Sequence, residues 1–299
     1  MWGSVVLFAG WAVGWVVGWD LGFRWVQLVS FTPYVAGVSV GVPVVALVLR
    51  RWKAAAVGLV TALVLVAGVV PRVVGDGEPV AGGPEVRALS VNTLHGRTRP
   101  GRILELVREL RPDVLSVQEL WTEDRAELDR LGLQEVLPHR LDGTNGTSLF
   151  SRYPVVSPGP SPGGSVRGEV TVPGFAEPVE VVAVHTCAPV HPGKAECWRA
   201  SQATVPAATP DGRIRILVGD FNATFDHATF RRVLDTGYRS ASAALGDGLE
   251  ATWHARAHPL PGIVIDHVLA DRRVAVLGYA TRALPGSDHR AVYARLRLP

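Results

Sequence analysis

Long apolar runs without a charge fill the first quarter of the chain, and short apolar runs ending in polar residues fill the rest. Residues 1–19 carry no charged side chain, residues 25–49 carry none, and a third uncharged run, 54–70, leads up to Pro71-Arg72. A helix rises about 1.5 Å per residue and the hydrocarbon core of a bilayer is about 30 Å thick, so a span needs about 20 apolar residues. The first two runs meet that length. The third meets it with Trp52 at one end and Val73-Val74 beyond Arg72, whose side chain could snorkel to the interface. The pattern therefore predicts three transmembrane helices within residues 1–74. A signal peptide would need a basic start, and no Lys or Arg precedes Arg24. Trp2, Trp11, Trp15, Trp19, Trp25 and Trp52 fall partly where an interfacial aromatic belt belongs. The basic loop Arg50-Arg51-Trp52-Lys53 is expected on the cytoplasmic side, which sends everything after about Val74 to the outer face.

Residues 75–84, rich in Gly and Pro, have no apolar period and read as a linker between the membrane part and a domain over 85–299. In that domain the apolar runs predict strands over 86–91, 114–117, 147–150, 179–184, 214–218, 263–269 and 291–298. Ile103, Val107 and Leu110 give one apolar helical face after Pro100. Thr122, followed by Glu123 and Asp124, reads as a capped helix start continuing to Leu131. Weaker helical patterns cover 195–203 and 228–234, and the Ser/Pro/Gly-rich segment 157–168 reads as a surface loop. The mixture indicates an α/β domain with a sheet core and outer helices.

Composition changes this picture little. The mean hydropathy of +0.21 and the apolar fraction of 47% are high for a purely soluble protein, and the excess lies in the N-terminal runs. The net charge of +3 is carried almost wholly by arginine, Lys53 and Lys194 being the only lysines. It is compatible with an anionic substrate or a membrane surface, but the absence of a dense basic tract argues against a sequence-reading nucleic-acid binder. The two cysteines, Cys187 and Cys197, lie ten residues apart. An oxidising exterior would permit a disulfide between them; two free thiols are the alternative, and two cysteines alone do not make a zinc site.

The informative polar residues stand at the ends of the predicted strands. Leu89-Ser90-Val91 ends in Asn92, Ser116-Val117-Gln118 in Glu119, Val182-Ala183-Val184 in His185, and Leu217-Val218-Gly219 in Asp220-Phe221-Asn222. Ile263-Val264-Ile265 runs into Asp266-His267, and Ser287-Asp288-His289 precedes the last strand. A lone strand-end Asp is usually a turn former, but this set of oxygen donors suits a hard cation such as Mg²⁺ or Mn²⁺.

Taken in order, Gln118-Glu119, Gly219-Asp220-Phe221-Asn222, Ile265-Asp266-His267 and Ser287-Asp288-His289, supported by residues 146–154, resemble the endonuclease/exonuclease/phosphatase (DNase I-like) superfamily over about 86–298. The resemblance implies a two-sheet α/β sandwich, here preceded by the three transmembrane helices, with a site along one sheet edge. It implies that Glu119 is the principal metal ligand, helped by Asn92 and Asp288. Asp220 and Asn222 would position the attacking water or a second metal, and His289, oriented by Asp266, would be the catalytic histidine. His185 would stabilise or protonate phosphate oxygens, and which histidine is base and which acid is left open. His95, His254 and His267 read as structural or peripheral, with Trp253 beneath the site.

The segment 262–267 lacks the Cys and Arg of the inositol phosphatases, so that subgroup is disfavoured. The expected activity is a Mg²⁺- or Mn²⁺-dependent phosphodiesterase, in a multi-pass cell-membrane protein with the domain outside, acting on extracellular nucleic acid or a phospholipid headgroup. No protein partner is implied. The competing reading is a membrane-tethered binding or sensing module that keeps the fold without turnover, and retention of every expected site residue argues against it.

Overall fold

The structure, a computed structural model, describes residues 1–77, 79, 81–254 and 259–299; Glu78 and Val80 of the expected linker lie outside the described residues. The first apolar run forms α1 (Trp2–Val17), 16 residues long. The second is broken. Its first part, α2 (Phe23–Val29), meets the helix Thr32–Val48 at 64°, and the latter comprises α3 (Thr32–Ser39) and α4 (Gly41–Val48). Pro33 sits in the first turn of α3, where its missing N–H costs nothing, and the Thr32 hydroxyl donates back to the Val29 carbonyl at 2.6 Å. The third run, Trp52–Val74, is 23 residues long and consists of α5 (Trp52–Val69) and α6 (Pro71–Val74). Where three spans are expected, the described residues contain one helix long and apolar enough to cross a membrane unaided, one bent pair and one shorter apolar helix.

These helices pack around α5, which touches α1, α3 and α4. Their contacts use small side chains: Ala46, Ala54 and Ala55 with Val5, and Ala12 and Ala36 with Leu65. Val6, Leu7, Val13 and Val16 of α1, Val44 and Val48 of α4, and Leu59, Val60 and Leu63 of α5 face outward and are exposed. Small residues inside and large apolar residues outside invert the soluble pattern.

In the domain, near-continuous apolar runs make strands buried on both faces, which demands a layer on each side. In chain order these are β1 (Glu85–Asn92), β2 (Val114–Gln118), β3 (His139–Asp142), β4 (Ser148–Ser151), β5 (Val155–Val156), β6 (Val166–Val170), β7 (Val179–His185), β8 (Arg215–Asp220), β9 (Tyr238–Ser240), β10 (Asp266–Asp271), β11 (Ala275–Ala283) and β12 (Arg290–Arg297). One six-stranded sheet has the order β11-β12-β1-β2-β4-β3, the other β5-β6-β7-β8-β10-β9. Their inner faces meet in a core that includes Ala88, Val114 and Leu149 from the first sheet and Val181, Ile216 and Val268 from the second. Outside the first sheet lie α7 (Pro100–Leu110), α8 (Thr122–Arg130) and α9 (Leu133–Val136); Ile103, Leu106 and Val107 cover Leu89, Leu115 and Val117. Outside the second lie α10 (Ala195–Gln202) and α11 (Ala228–Asp235), with Trp198 and Phe230 against Val184 and Leu217, while α12 (Ala241–Ala244) turns Ala241 and Ala244 into the core between the sheets. Cutting one such fully buried Leu to Ala typically costs about 2–5 kcal/mol.

Register carries this fold to the site. Parallel pairing sets Asn92 opposite Gln118 and His185 opposite Asp220, and antiparallel pairing sets Asp266 opposite Asp220. Three details depart from the sequence pattern. Thr122 is the first residue of α8 and makes no side-chain cap, the capping position being Trp121. The segment expected as a loop over 157–168 already enters β6 at Val166. Strand β10 begins only at Asp266, because Ile263 instead bridges Trp253, which also bridges His289.

Candidate active site

Unusual backbone conformations shape the strand ends at the site. Gly219 lies at φ +152°, where a Cβ would collide with the Val184 carbonyl, so only glycine lets the strands close up as His185 meets Asp220. Glu119 and Asn222 take φ of 59° and 45°, uncommon for residues with side chains and found where surrounding contacts fix the backbone. Those contacts are present. Asn222 N–H donates to Asp220 Oδ1 at 2.8 Å, the Asn222 side chain donates to the Thr186 carbonyl at 3.0 Å, and Trp198 Nε1–H donates to the Asn222 carbonyl at 2.8 Å.

The expected site residues fall into one continuous cluster. Asn92 Nδ2 donates to Asp220 Oδ2 at 2.9 Å and to Glu119 Oε1 at 3.3 Å, while Asn92 Oδ1 accepts the Leu94 N–H at 3.0 Å. The amide thus holds two carboxylates apart. Asn92 Oδ1, accepting one backbone N–H, keeps a second lone pair. His289 Nδ1 lies 2.9 Å from Asp266 Oδ2, and its Nε2 is 3.9 Å from both Asp220 Oδ2 and Asp288 Oδ1. His185 Nε2 is 3.8 Å from Glu119 Oε1, and its Nδ1 is 3.4 Å from the Thr147 hydroxyl. Asp220, Asp266 and His289 form the tightest group of metal-capable atoms among the described residues, all within 4.8 Å of one another.

Several contributors were not legible as such. His95, read as peripheral, gives Glu119 Oε2 a backbone N–H at 2.8 Å and its ring Nδ1 at 3.1 Å, and it stacks loosely on Trp121. Its place three residues after Asn92 was the available signal. The Thr252 hydroxyl accepts the backbone N–H groups of Ile265 and Asp266 at 3.1 and 3.0 Å and so fixes the start of β10. The Ser287 hydroxyl ties the Asn92 carbonyl to the His289 N–H. Trp253 Nε1–H donates to Asp288 Oδ2 at 3.0 Å, and His254 packs against Trp253. His267 is structural: it is enclosed by Phe221, Phe225 and Phe230, donates from Nε2 to the Ala223 carbonyl, and burial pushes it down to about 4.

Whether this donor set fits a divalent cation is decided by Asp288. Its Oδ1 is buried and has no hydrogen-bond partner, although its other oxygen is held by Trp253. A buried carboxylate oxygen is ordinarily paired or bound to a metal. With Glu119 and Asp220 nearby, the oxygen-rich set fits a hard cation.

Burial pulls the two site histidines down, but their neighbours separate them. For His289, burial is overcome by the carboxylates of Asp266, Asp220 and Asp288, which push it up to about 10. For His185, burial wins over the Glu119 charge and the group is lowered, so it stays neutral. Burial and the Asp266 charge push Asp220 up to about 7, against His289 and the donors of Asn222 and Asn92. Environments that drive paired groups apart assign proton-accepting and proton-donating roles.

Two packed sheets carry carboxylates, amides and imidazoles along one edge, an α/β sandwich with a polar cluster of the kind that supports hydrolytic chemistry. The chain belongs to the Endonuclease/Exonuclease/phosphatase family, whose model matches residues 89–289. Among solved structures it is similar to an endonuclease/exonuclease/phosphatase from Beutenbergia cavernae DSM 12333, at 19% identity and TM-score 0.55 over 72% of each chain. It is also similar to TDP2 of D. rerio complexed with single strand DNA product, at 17% identity and TM-score 0.54 over 71% of this chain and 99% of that one. A third, the endonuclease/exonuclease/phosphatase from Bacteroides vulgatus, gives 18% identity and TM-score 0.52 over 72% and 100%. No curated protein matches the chain by sequence. At these identities the structural likenesses establish the fold, and residues 1–88 lie outside the family match.

The charge on His289 has a measurable consequence. A group raised from its ordinary 6.5 to about 10 contributes stability that is complete below the lower value and is lost as pH rises through the higher one. In metal-free protein the His289 ring should therefore remain imidazolium from pH 7 to 9 in a histidine NMR titration, while His185 remains neutral. A His289 midpoint at or below 6.5 would contradict the assignment.

Proposed function

We propose that this chain is a membrane-anchored, divalent-metal-dependent phosphoester hydrolase whose substrate is presented at the outer membrane surface. The observation that carries the chemistry is the buried Asp288 Oδ1, which accepts no hydrogen bond and lies 3.9 Å from an imidazole held by Asp266. Glu119 and Asp288 would hold Mg²⁺ or Mn²⁺, with Asn92 keeping Glu119 and Asp220 in place. When bound, the cation supplies Lewis-acid polarisation of the phosphoryl oxygen.

The protein groups divide the remaining work. Asp220, which the Asn222 N–H orients, is placed to take a proton from an attacking water. His289, cationic and fixed by Asp266, offers its Nε2–H to the phosphoryl oxygen where negative charge grows. Neutral His185 reaches the same pocket beside Glu119 and orients a phosphate oxygen or leaving group.

The N-terminal helices support the location. The apolar outer face of the bundle needs lipid, and three passes would be made by α1, Thr32–Val48 and Trp52–Val74, with α2 lying at the interface. The ends of these helices that contact the domain include Asp20, Gln27, Tyr34 and Arg72; Gln27 donates to the Pro189 carbonyl at 3.1 Å and Tyr34 to the Gly262 carbonyl at 2.6 Å. The basic loop Arg50-Arg51-Trp52-Lys53 joins the opposite ends, which supports an outward domain by the positive-inside rule. Cys187 and Cys197, bonded with Cα atoms 5.8 Å apart, agree with an oxidising compartment. Pro189 and Gly262 belong to loops on the site edge, and Trp121 and Val190 expose apolar surface there, which favours a lipid phosphoester over nucleic acid.

Full-length protein in lipid nanodiscs should hydrolyse bis(p-nitrophenyl) phosphate with Mg²⁺ or Mn²⁺, and Glu119→Gln or His289→Ala should each lower kcat by about 10²–10⁴-fold. Activity surviving both substitutions would remove the proposed site. In a substrate panel, phospholipid vesicles should be cleaved faster than single-stranded DNA; the reverse order would sink the lipid reading. Protease added to intact cells should release the domain, and full protection would place it inside.

A further inference from the structure

We infer that the N-terminal helices are working parts of the active site: they clamp residues 224–231 and thereby position the Asp220-Phe221-Asn222 turn. The inference rests on the hydrolase reading above, since it concerns how that site is held.

Four links from separate N-terminal elements converge on this one short stretch. Asp20, in the turn between α1 and α2, accepts the backbone N–H groups of Ala228 at 3.1 Å and Thr229 at 2.6 Å, and so caps α11. The Val26 carbonyl of α2 lies 2.8 Å from His227 Nε2, while His227 Nδ1 accepts the Thr224 N–H at 2.9 Å. Those contacts require Nε2 to carry the proton. Arg72 of α6 forks onto Asp226 at 3.0 and 2.6 Å, with side-chain exposures of 6% and 1%, and lies over the Phe225 ring. Arg231 joins the Trp15 carbonyl of α1 to the Asp226 carbonyl. Val26 also packs into the apolar cluster of Phe221, Trp198 and Phe230.

The clamp is adjacent to the chemistry. Thr224 is two residues beyond Asn222, whose φ of 45° needs fixed surroundings, and Phe221 lies between Asp220 and Asn222. Two buried polar groups of the clamped stretch take their partners from outside the catalytic domain. Asp226 has Arg72 as its cation, and His227 has the Val26 carbonyl as its acceptor. A buried carboxylate stripped of its cation must rearrange or protonate, and either change moves the loop that continues the Asp220 turn. Asp20, Arg72, Asp226 and His227 are therefore positioning residues: they touch no reacting atom and act through the turn.

The arrangement also sets the direction of influence. Tilting or shifting the helices within a bilayer changes the pull on residues 224–231, so lipid thickness or packing would reach the site along this route.

The test uses full-length protein in nanodiscs, with bis(p-nitrophenyl) phosphate as probe so that no lipid-binding step intervenes. Arg72→Met and Asp20→Ala should lower kcat by about 10- to 100-fold with KM changed less than about threefold, as expected when a catalytic group is slightly misplaced. Arg72→Lys, which keeps the charge, should recover most of kcat. Thermal unfolding must show each variant folded at the assay temperature; if Arg72→Met is not folded, Asp226→Asn and Asp20→Ala decide by the same criterion. Unchanged kcat in folded variants overturns the inference and leaves the hydrolase reading intact. Loss through KM alone also overturns it. Absence of hydrolysis by the parent protein would instead overturn the hydrolase reading.

Discussion

Asp220 and Asp266 are each almost wholly removed from water, and one imidazole, that of His289, stands between them. Carboxylates this close cannot all be ionised in a poorly solvated cleft unless a positive charge accompanies them. Much of the cleft follows from that constraint. His289 is forced cationic, Asn92 spreads two N–H donors over Asp220 and Glu119, and the Asn222 backbone bends to deliver its own N–H to Asp220. Asp288 Oδ1 accepts no hydrogen bond and has only the His289 imidazolium, 3.9 Å away, as countercharge. The proposed cation would add the charge that this concentration of carboxylates calls for.

The same rule governs the junction between the helices and the domain. Asp226 is buried beside the catalytic turn and takes its countercharge from Arg72, more than 150 positions earlier in the chain. The N-terminal helices complete the charge balance of a loop that continues from Asp220, so they and the domain form one structural unit.

Much of the fold was legible because its signals are local. Valine-rich runs such as 179–184 read as buried strands, and the polar residue ending each run pointed to a shared edge, which parallel register then assembled. Pro100 marked the start of α7. What escaped were features settled by distant partners. Arg72 read as a snorkelling side chain because its anion, Asp226, comes from far along the sequence. The second apolar run read as one span because nothing in its hydropathy shows that α2 docks on the domain through Val26 and Gln27. Strands β3 and β11 alternate polar and apolar positions too weakly to stand out, and their pairing with β4 and β12 defines them. His95 and Thr252 escaped for the same reason, since each matters only through the residue it touches.

We propose that the carboxylate cluster around His289 holds a divalent cation. The most direct test is a calorimetric titration of the full-length protein with Mn²⁺, alongside Asp288→Asn. Binding should saturate, and the substitution should weaken it by at least about tenfold, because a formal charge and a ligand are both altered. Equal affinity in the two proteins, or no binding in either, would contradict the proposal.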